Sequence, residues 1–160
     1  MEMNMKIRIC NANDKLAWVK MNREFMNFEI QESNCWNDTE KTSDEKFSET
    51  FEQIMLHPDM ITLLIAENDE GDGIGFANLV TILSVWAHGK ALILDDIYLR
   101  DDYRHRGYGA EFLKYIEDYA QVNGYKRLQF QSEEHNKGAY NFYKNMGYAD
   151  MDMKFYVKYF

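Results

Sequence analysis

Residues 104–109, Arg-His-Arg-Gly-Tyr-Gly, constrain the fold of this chain more than any other segment. They follow an apolar run that ends at Leu99, and they open the amphipathic segment Gly107–Val122, which has helical spacing. The first backbone N–H groups of a helix have no acceptor within the helix, and the helix dipole adds partial positive charge there. Because Gly107 and Gly109 lack a Cβ, an anion can approach this backbone closely. The segment therefore predicts an anion-binding loop at the start of a helix.

The placement of charge supports an anionic ligand at this loop. Three of the six arginines, Arg100, Arg104 and Arg106, fall within seven residues of a chain whose net charge is −9. The alternative is a glycine-rich turn with solvated arginines. No Gly-Lys-Ser/Thr follows, and Phe112 occupies the third glycine position of a dinucleotide fingerprint, so ATP and NAD are disfavoured.

Hydrophobic periodicity predicts one domain over residues 1–160 with the order β-α-α-β-β-β-α-β-α-β-β. Antiparallel strands followed by a β-α-β crossover indicate an α/β (α+β) fold, with a mixed, mostly antiparallel sheet of six to seven strands and helices on both faces. A polar loop is predicted over Ser33–Thr42, and Ser43 is the predicted cap of the second helix. The predicted strands are Met5–Cys10, Ile61–Ala66, Ile74–Val85, Ala91–Leu99, Leu128–Gln131, Ala149–Met151 and Met153–Tyr159, and the predicted helices are 16–30, 43–55, Gly107–Val122 and Asn136–Met146.

Composition disfavours several classes of function. An acidic chain with a pI of about 4.9 lacks the basic face that nucleic acid requires. No apolar run approaches the ~18 residues of a membrane span, and no signal peptide is visible, so we expect a cytoplasmic protein without a membrane partner. Cys10 and Cys35 form no CxxC pair and the four histidines are scattered, so we expect no metal site.

A second motif lies downstream of the loop, at Asn136, Ala139, Phe142-Tyr143 and Gly147-Tyr148. It resembles the Asn-x-x-Ala-x-x-Phe-Tyr-x-x-x-Gly-Phe/Tyr segment of the GNAT acetyltransferase superfamily. The loop is similar to that superfamily's Arg/Gln-x-x-Gly-x-Gly/Ala signature. The resemblance is strong from Ala91 to Tyr148, whereas residues 1–86 match only in the order of elements.

This resemblance implies an acetyl-CoA-dependent N-acetyltransferase. In that superfamily the loop amides bind the pyrophosphate of acetyl-CoA, and the preceding strand contacts its pantetheine arm. The cofactor-binding residues so implied are Ile97, Tyr98, Leu99, Arg104, His105, Arg106, Gly107, Tyr108, Gly109, Ala110, Asn136, Ala139 and Tyr143.

The same resemblance suggests catalytic residues. Tyr143 corresponds to a tyrosine that protonates the leaving thiolate in many members, although an ordinary packed aromatic is the alternative.

The segment Leu94-Asp95-Asp96-Ile97-Tyr98 resembles Leu-Glu-Asp-Phe-Phe of diamine acetyltransferases, which puts the catalytic glutamate at Asp95. Asp95 and Asp96 are the candidate bases. Asp95 is expected to work through a water, because aspartate is one methylene shorter than the glutamate at this position in the resemblance. Strand alternation predicts that the two carboxylates point apart, and a capping or ion-pairing role is the alternative. A backbone N–H near Tyr98 or Leu99 is the predicted oxyanion donor.

The acceptor is predicted from charge. Residues 24–59 contain ten Asp and Glu against two Lys, a local balance of −8, which favours a small cationic amine such as a polyamine or aminoglycoside. Solvated helix faces are the simpler alternative. A protein N-terminus or lysine as acceptor, or an acyl-CoA-binding module without turnover, are competing interpretations. Trp36 and Trp86 are candidates to line the acceptor cleft, and the aromatic C-terminus, Phe155–Phe160, is a candidate homodimer contact.

Overall fold

Five strands form one sheet in the computed structural model, which describes residues 4–32 and 42–158, without the side chains of 28–32. The strands are β1 (Lys6–Ile9), β2 (Ile61–Glu67), β3 (Gly73–Ser84), β4 (Gly89–Leu99) and β5 (Arg127–Gln129), and they lie in this order across the sheet. The pairs β1–β2, β2–β3 and β3–β4 are antiparallel, and β5 is parallel to β4. The predicted mixed, mostly antiparallel sheet is confirmed.

Four α-helices accompany the sheet, each close to its predicted bounds. They are α1 (Lys15–Glu32), α2 (Asp44–Met55), α3 (Tyr108–Val122) and α4 (Lys137–Asn145). Ser43 caps α2 as predicted, because its hydroxyl accepts from the backbone N–H of Lys46 at 3.3 Å. The predicted loop Ser33–Thr42 lies outside the described residues except for Thr42.

The prediction of six to seven strands is wrong for the described residues, where the sheet has five. The two predicted closing strands, Ala149–Met151 and Met153–Tyr159, are absent over residues 149–158. The side chains there are not buried: Met151 is 81% exposed and Tyr156 is 88% exposed. Alternating apolar residues supply strand propensity, but a strand forms only where that propensity is joined by pairing and packing against neighbours.

One face of the sheet carries α1 and α2. Trp18 and Met21 of α1 and Phe51 of α2 pack in one cluster against Leu63 and Phe76 of the sheet. All five side chains are nearly or completely buried. This cluster fixes α1 above the centre of β3.

The opposite face carries α3. Thr62 precedes Leu63 in β2 and so points to the other side of the sheet. Its hydroxyl lies 3.1 Å from the Tyr119 hydroxyl of α3. α3 buries Phe112 and Ile116 completely. Helices on both faces of the sheet are therefore confirmed.

The chain divides into two compact units, Met1–Phe130 and Gln131–Phe160. The sheet and α1 to α3 belong to the first unit, and α4 belongs to the second.

Candidate active site

The edge of β4 opens partway along the strand. Ala91–Ile93 pair with β3 on one side and with β5 on the other. From Leu94 to Leu99 the only strand partner within the described chain is β3. Half of the backbone N–H and C=O groups in this second stretch therefore point away from β3, where they can bind a ligand.

A β-bulge marks the beginning of this open stretch. The register passes from Leu79↔Leu94 to Asn78↔Asp96, which leaves Asp95 without a partner on β3. Because paired residues share a face, Leu94 and Asp96 lie on opposite faces although they are two residues apart. The strict alternation assumed from the sequence therefore does not hold across this segment.

Asp96 lies on the face that α1 covers. Its Oδ2 accepts a hydrogen bond from Nδ2 of Asn78 at 2.8 Å, and Oδ1 of Asn78 accepts from the indole N–H of Trp18 at 3.1 Å. Burial raises the pKa of Asp96 to about 6, with a further rise from the nearby charge of Asp95, while the Asn78 hydrogen bond acts in the opposite direction. A carboxyl group that titrates near neutrality can accept a proton under physiological conditions.

Asp95 differs from its neighbour. It is exposed as a residue, although partial burial of its carboxyl group still raises the pKa. The unpaired position gives Asp95 no fixed partner on β3. Of the two predicted bases, Asp96 is the less exposed one, half-buried as a residue, and a hydrogen bond from Asn78 orients its carboxyl group.

The predicted anion-binding loop leads into α3 as expected. Gly107 is the N-cap residue with φ of 90°, a conformation that glycine adopts at little cost, and His105 has φ of 59°. The first intrahelical bond runs from the N–H of Glu111 to the carbonyl of Gly107 at 3.1 Å. The backbone N–H groups of residues 108–110 therefore precede the helical ladder.

The start of α3 differs from other helix starts in this protein. Asn11, Ser43 and Asn136 each cap a helical segment with a side-chain oxygen. Gly107 has no side chain to do this, and a Cβ built on it would meet nothing within 4 Å. The space beside Gly107 is thus open among the described residues, as a pyrophosphate bound at this helix start would require.

The three clustered arginines do not act together as the sequence suggested. Arg100 forms a bidentate pair with Glu24, with nitrogen–oxygen distances of 2.9 and 3.0 Å. Arg104 donates to the carbonyl of Leu99 at 2.7 Å and pairs with Asp101 at 2.8 Å. Arg106 is exposed and forms no ion pair across residues 4–32 and 42–158. Arg106 is the cluster member available to an incoming anion.

Arg104 connects the loop to β4. Its guanidinium lies 5.3 Å from the ring centroid of Tyr98, in addition to its bond with the Leu99 carbonyl. Gly75 of the neighbouring strand β3 pairs with Leu99, and a Cβ at Gly75 would stand 2.5 Å from the Tyr98 carbonyl oxygen. Close packing from both sides therefore sets the position of β4 between Ile97 and Leu99.

The remaining predicted residues lie in the second unit. The Oδ1 atom of Asn136 accepts from the N–H of Ala139 at 3.0 Å, so the two residues cap α4 together. Tyr143 lies on α4, with its ring centroid 5.2 Å from that of Phe142 and 6.3 Å from that of Tyr148. Burial raises the pKa of the Tyr143 phenol, so it stays protonated at neutral pH.

Sequence reasoning missed Asn78 and Trp18. An asparagine within the apolar run of β3 was the available signal, since a polar side chain in a buried strand requires partners. Trp86, a predicted cleft residue, is 89% exposed in the turn before β4, and Trp36 lies outside the described residues.

Neither a metal centre nor a membrane span is found in the part of the chain that the structure describes. No group of three or more His, Cys, Asp and Glu side chains there is arranged to hold a metal ion. None of the described helices combines the length and apolar character needed to cross a bilayer.

Comparison with known proteins shows the family to which this chain belongs. The sequence profile of the Acetyltransferase (GNAT) family matches residues 23–148. An uncharacterized N-acetyltransferase of Bacillus subtilis (strain 168), YhfO, is 30% identical over 146 residues, which is 91% of each chain. A thialysine N-epsilon-acetyltransferase of Bos taurus is 25% identical over 127 residues, which covers 77% of this chain and 74% of that protein.

A solved structure has the same fold. Aminoglycoside N-acetyltransferase AAC(6')-Iy in complex with CoA superposes with a TM-score of 0.77 at 16% identity. The superposition covers 99% of this chain and 97% of that one.

Proposed function

Because this chain belongs to the GNAT acetyltransferase family and is an acetyl-CoA-dependent N-acetyltransferase, we propose that its acceptor is a small cationic primary amine. A polyamine or an aminoglycoside has the required charge. The amine attacks the thioester directly while both substrates are bound, so that a C–N bond forms and the C–S bond breaks.

The observation that carries this proposal is the half-buried Asp96 carboxyl group, held by Asn78 beside the open edge of β4. An alkylammonium must lose a proton before its nitrogen can attack. Asp96 has a pKa of about 6, so at neutral pH it is ionised and can take that proton, directly or through a water. Its carboxylate also attracts the cationic form of the acceptor.

The chain's own residues fit acetyl-CoA. The amides of residues 108–110, with the conformation of Gly107, suit the pyrophosphate, and Arg106 adds a positive charge beside them. From Leu94 to Leu99 the edge of β4 that faces away from β3 has no strand partner among the described residues, and apart from the Leu99 carbonyl, which accepts from Arg104, it suits the amide groups of the pantetheine arm. A backbone N–H near Tyr98 or Leu99 is the proposed donor to the thioester oxygen.

A cleft between α1 and α2 supports a cationic acceptor in part. It has a volume of about 410 Å³ and is lined by the carboxylates of Glu24, Asp44 and Glu45 together with Lys20 and Arg23. Two of these carboxylates are already paired, Glu24 with Arg100 and Asp44 with Arg23. The names of the thialysine and aminoglycoside acetyltransferase relatives also point to amine acceptors.

Tyr143 is the proposed acid that protonates the leaving thiolate. Its neutral phenol can donate to sulfur, and its raised pKa keeps the proton available. We expect Tyr143→Phe to lower kcat by about 10-fold or more. Tyr148→Phe, a matched change on a neighbouring aromatic ring, serves as the control for packing. Full activity of Tyr143→Phe would show that Tyr143 is not the acid, and it would not bear on the proposed class of acceptor.

An amine panel tests the acceptor class. Release of CoA thiol from acetyl-CoA is measured with polyamines, aminoglycosides, amino acids and peptides with free N-termini or lysines. We expect the highest kcat/KM for an amine that carries two or more positive charges. Preference for peptides would contradict the acceptor class, and thermal stabilisation by acetyl-CoA without thiol release from any amine would favour a binding module.

We further propose that residues 1–160 act as one acetyltransferase domain in a cytoplasmic homodimer. Phe155 and Tyr156 near the C-terminus are exposed apolar side chains that a second copy could cover. Light scattering on the purified protein gives the oligomeric state, and a monomer at micromolar concentration would contradict the dimer.

A further inference from the structure

We propose that Asn78 and Trp18 are positioning residues that determine which oxygen of Asp96 receives the proton. This inference rests on the proposed function of Asp96 as the base. The three side chains form one hydrogen-bonded series from α1 through β3 to β4.

The series has a defined direction because its first member can only donate. The indole N–H of Trp18 is a donor without acceptor capacity. The atom of Asn78 that faces it at 3.1 Å must therefore be the amide oxygen. The amide nitrogen of Asn78 is then the atom that faces Asp96, and it donates to Oδ2 at 2.8 Å.

The direction of these hydrogen bonds determines which oxygen of Asp96 carries the proton. An oxygen that accepts from the Asn78 amide does not also present a proton to it, because two donors would then face each other. Oδ2 consequently stays an acceptor in both ionisation states. Oδ1 is the oxygen that takes the proton from the acceptor amine, directly or through a water.

The surrounding structure holds the series rigidly. The ring of Trp18 is 3% exposed and packs against Phe51 and Phe47, with centroid distances of 5.5 and 6.4 Å. Asn78 is 9% exposed and sits opposite Asp96 at the bulge. A buried asparagine is costly unless its amide is satisfied, and here both its oxygen and its nitrogen have partners.

The electrostatic surroundings of Asp96 are simple. Asn78 on β3 and Trp18 on α1 are neutral, and among the described side chains Asp95 is the charged group whose effect reaches Asp96. Asn78 favours the ionised carboxylate by donating to it, whereas burial and Asp95 favour the neutral form. Loss of the Asn78 hydrogen bond should therefore raise the pH at which Asp96 ionises.

The test follows the Asp96 carboxyl carbon by 13C NMR across pH in the whole protein, with aspartate labelled. Asn78→Leu keeps the side-chain volume and removes the donor, and we expect the titration midpoint to rise by about one pH unit. Trp18→Phe keeps an aromatic ring but removes the donor that fixes the orientation of the Asn78 amide. We expect a smaller rise of the titration midpoint in this variant. Asn22→Ala is the matched control, because Asn22 is also buried but donates to the Trp18 carbonyl.

The acid limb of the kcat/KM profile is measured on the same proteins. We expect it to move with the NMR midpoint in both variants and to stay in place in Asn22→Ala. A loss of packing alone would lower activity without moving that limb. If either Asn78→Leu or Trp18→Phe fails to fold, the other variant still shows whether the Asp96 titration moves.

The inference is overturned if both folded variants titrate Asp96 at the wild-type pH. Asp96→Asn separates this outcome from failure of the proposed base. If Asp96→Asn keeps wild-type activity, Asp96 is not the base, whatever the NMR midpoints show.

Discussion

The two halves of β4 differ in how their backbone groups are hydrogen-bonded. Ala91–Ile93 are paired on both edges, and Ala91 and Leu92 are completely buried. Leu94–Leu99 are paired with β3 alone, begin at a bulge and contain two carboxylates. The first half satisfies its backbone within the sheet, whereas the second leaves backbone groups for a ligand. The candidate active site therefore lies where the pairing of β4 with β5 ends.

The comparison is sharpened most by Asp96→Asn, which removes the proposed base without changing side-chain size. We expect kcat to fall by about 10²–10⁴-fold, the usual contribution of general base catalysis. Steady-state kinetics with the best amine from the panel measures this effect.

Asp95→Asn is the control for Asp96→Asn, because it changes the adjacent, exposed carboxylate. We expect it to lower kcat by less than about 10-fold. Equal losses in the two variants would mean that the bulge does not distinguish the aspartates.

Leu92→Ala examines the fully paired half. Leu92 is completely buried, so truncation should reduce the free energy of unfolding by about 2–5 kcal/mol. Urea denaturation measures this loss. The KM for acetyl-CoA should stay within about twofold of wild type once the folded fraction is considered. A large rise in this KM would show that the paired half also serves the site.

Asp96→Asn should also change stability, in a manner that depends on pH. The pKa of Asp96 is about 6 in the folded protein against an ordinary value of 3.8. Well below pH 3.8 the carboxyl group is neutral in both states and costs nothing. Between pH 3.8 and about 6 the unfolded state ionises while the folded state stays neutral, so the cost of the raised pKa grows over this range and is complete above it. Asparagine avoids this cost, so the variant should gain about 3 kcal/mol at pH 8 and much less at pH 4. Denaturation at the two pH values checks the sign, and a gain that is equal at both would contradict the raised pKa.

Arg106→Ala has the smallest expected effect. An exposed cation beside a bound pyrophosphate contributes about 1 kcal/mol or less, which corresponds to a rise of about fivefold or less in the KM for acetyl-CoA. The rise should shrink as salt is added. Lys114→Ala, an exposed cation further along α3, should have no effect on this KM. Equal effects of the two changes would indicate a general influence of charge.

Local sequence pattern predicted most of the first unit. Apolar runs bounded by turn residues in β2 to β4, and apolar residues with period 3.6 in α3, carried enough information to locate these elements within about two residues. Gly107 at the start of α3 was predictable because few other residues adopt its conformation.

Long-range features were not predictable in this way. The bulge at Asp95 depends on register with β3, and the Asn78–Asp96 contact joins residues 18 positions apart. The pairing of Arg100 with Glu24, 76 positions away, removed one cation from the predicted cluster. The closing strands failed for the same reason, since propensity in residues 149–158 is not joined by burial.

Backbone amide NMR shifts of isotope-labelled protein, followed while CoA is added, show whether the ligand lies along the open edge of β4 and at the start of α3. We predict saturable shifts at Gly107, Tyr108 and Gly109 and along Leu94–Leu99, with small changes at Ala91–Ile93. CoA binding that left the amides at the start of α3 and along the open edge of β4 at their unliganded shifts would contradict this placement of the ligand.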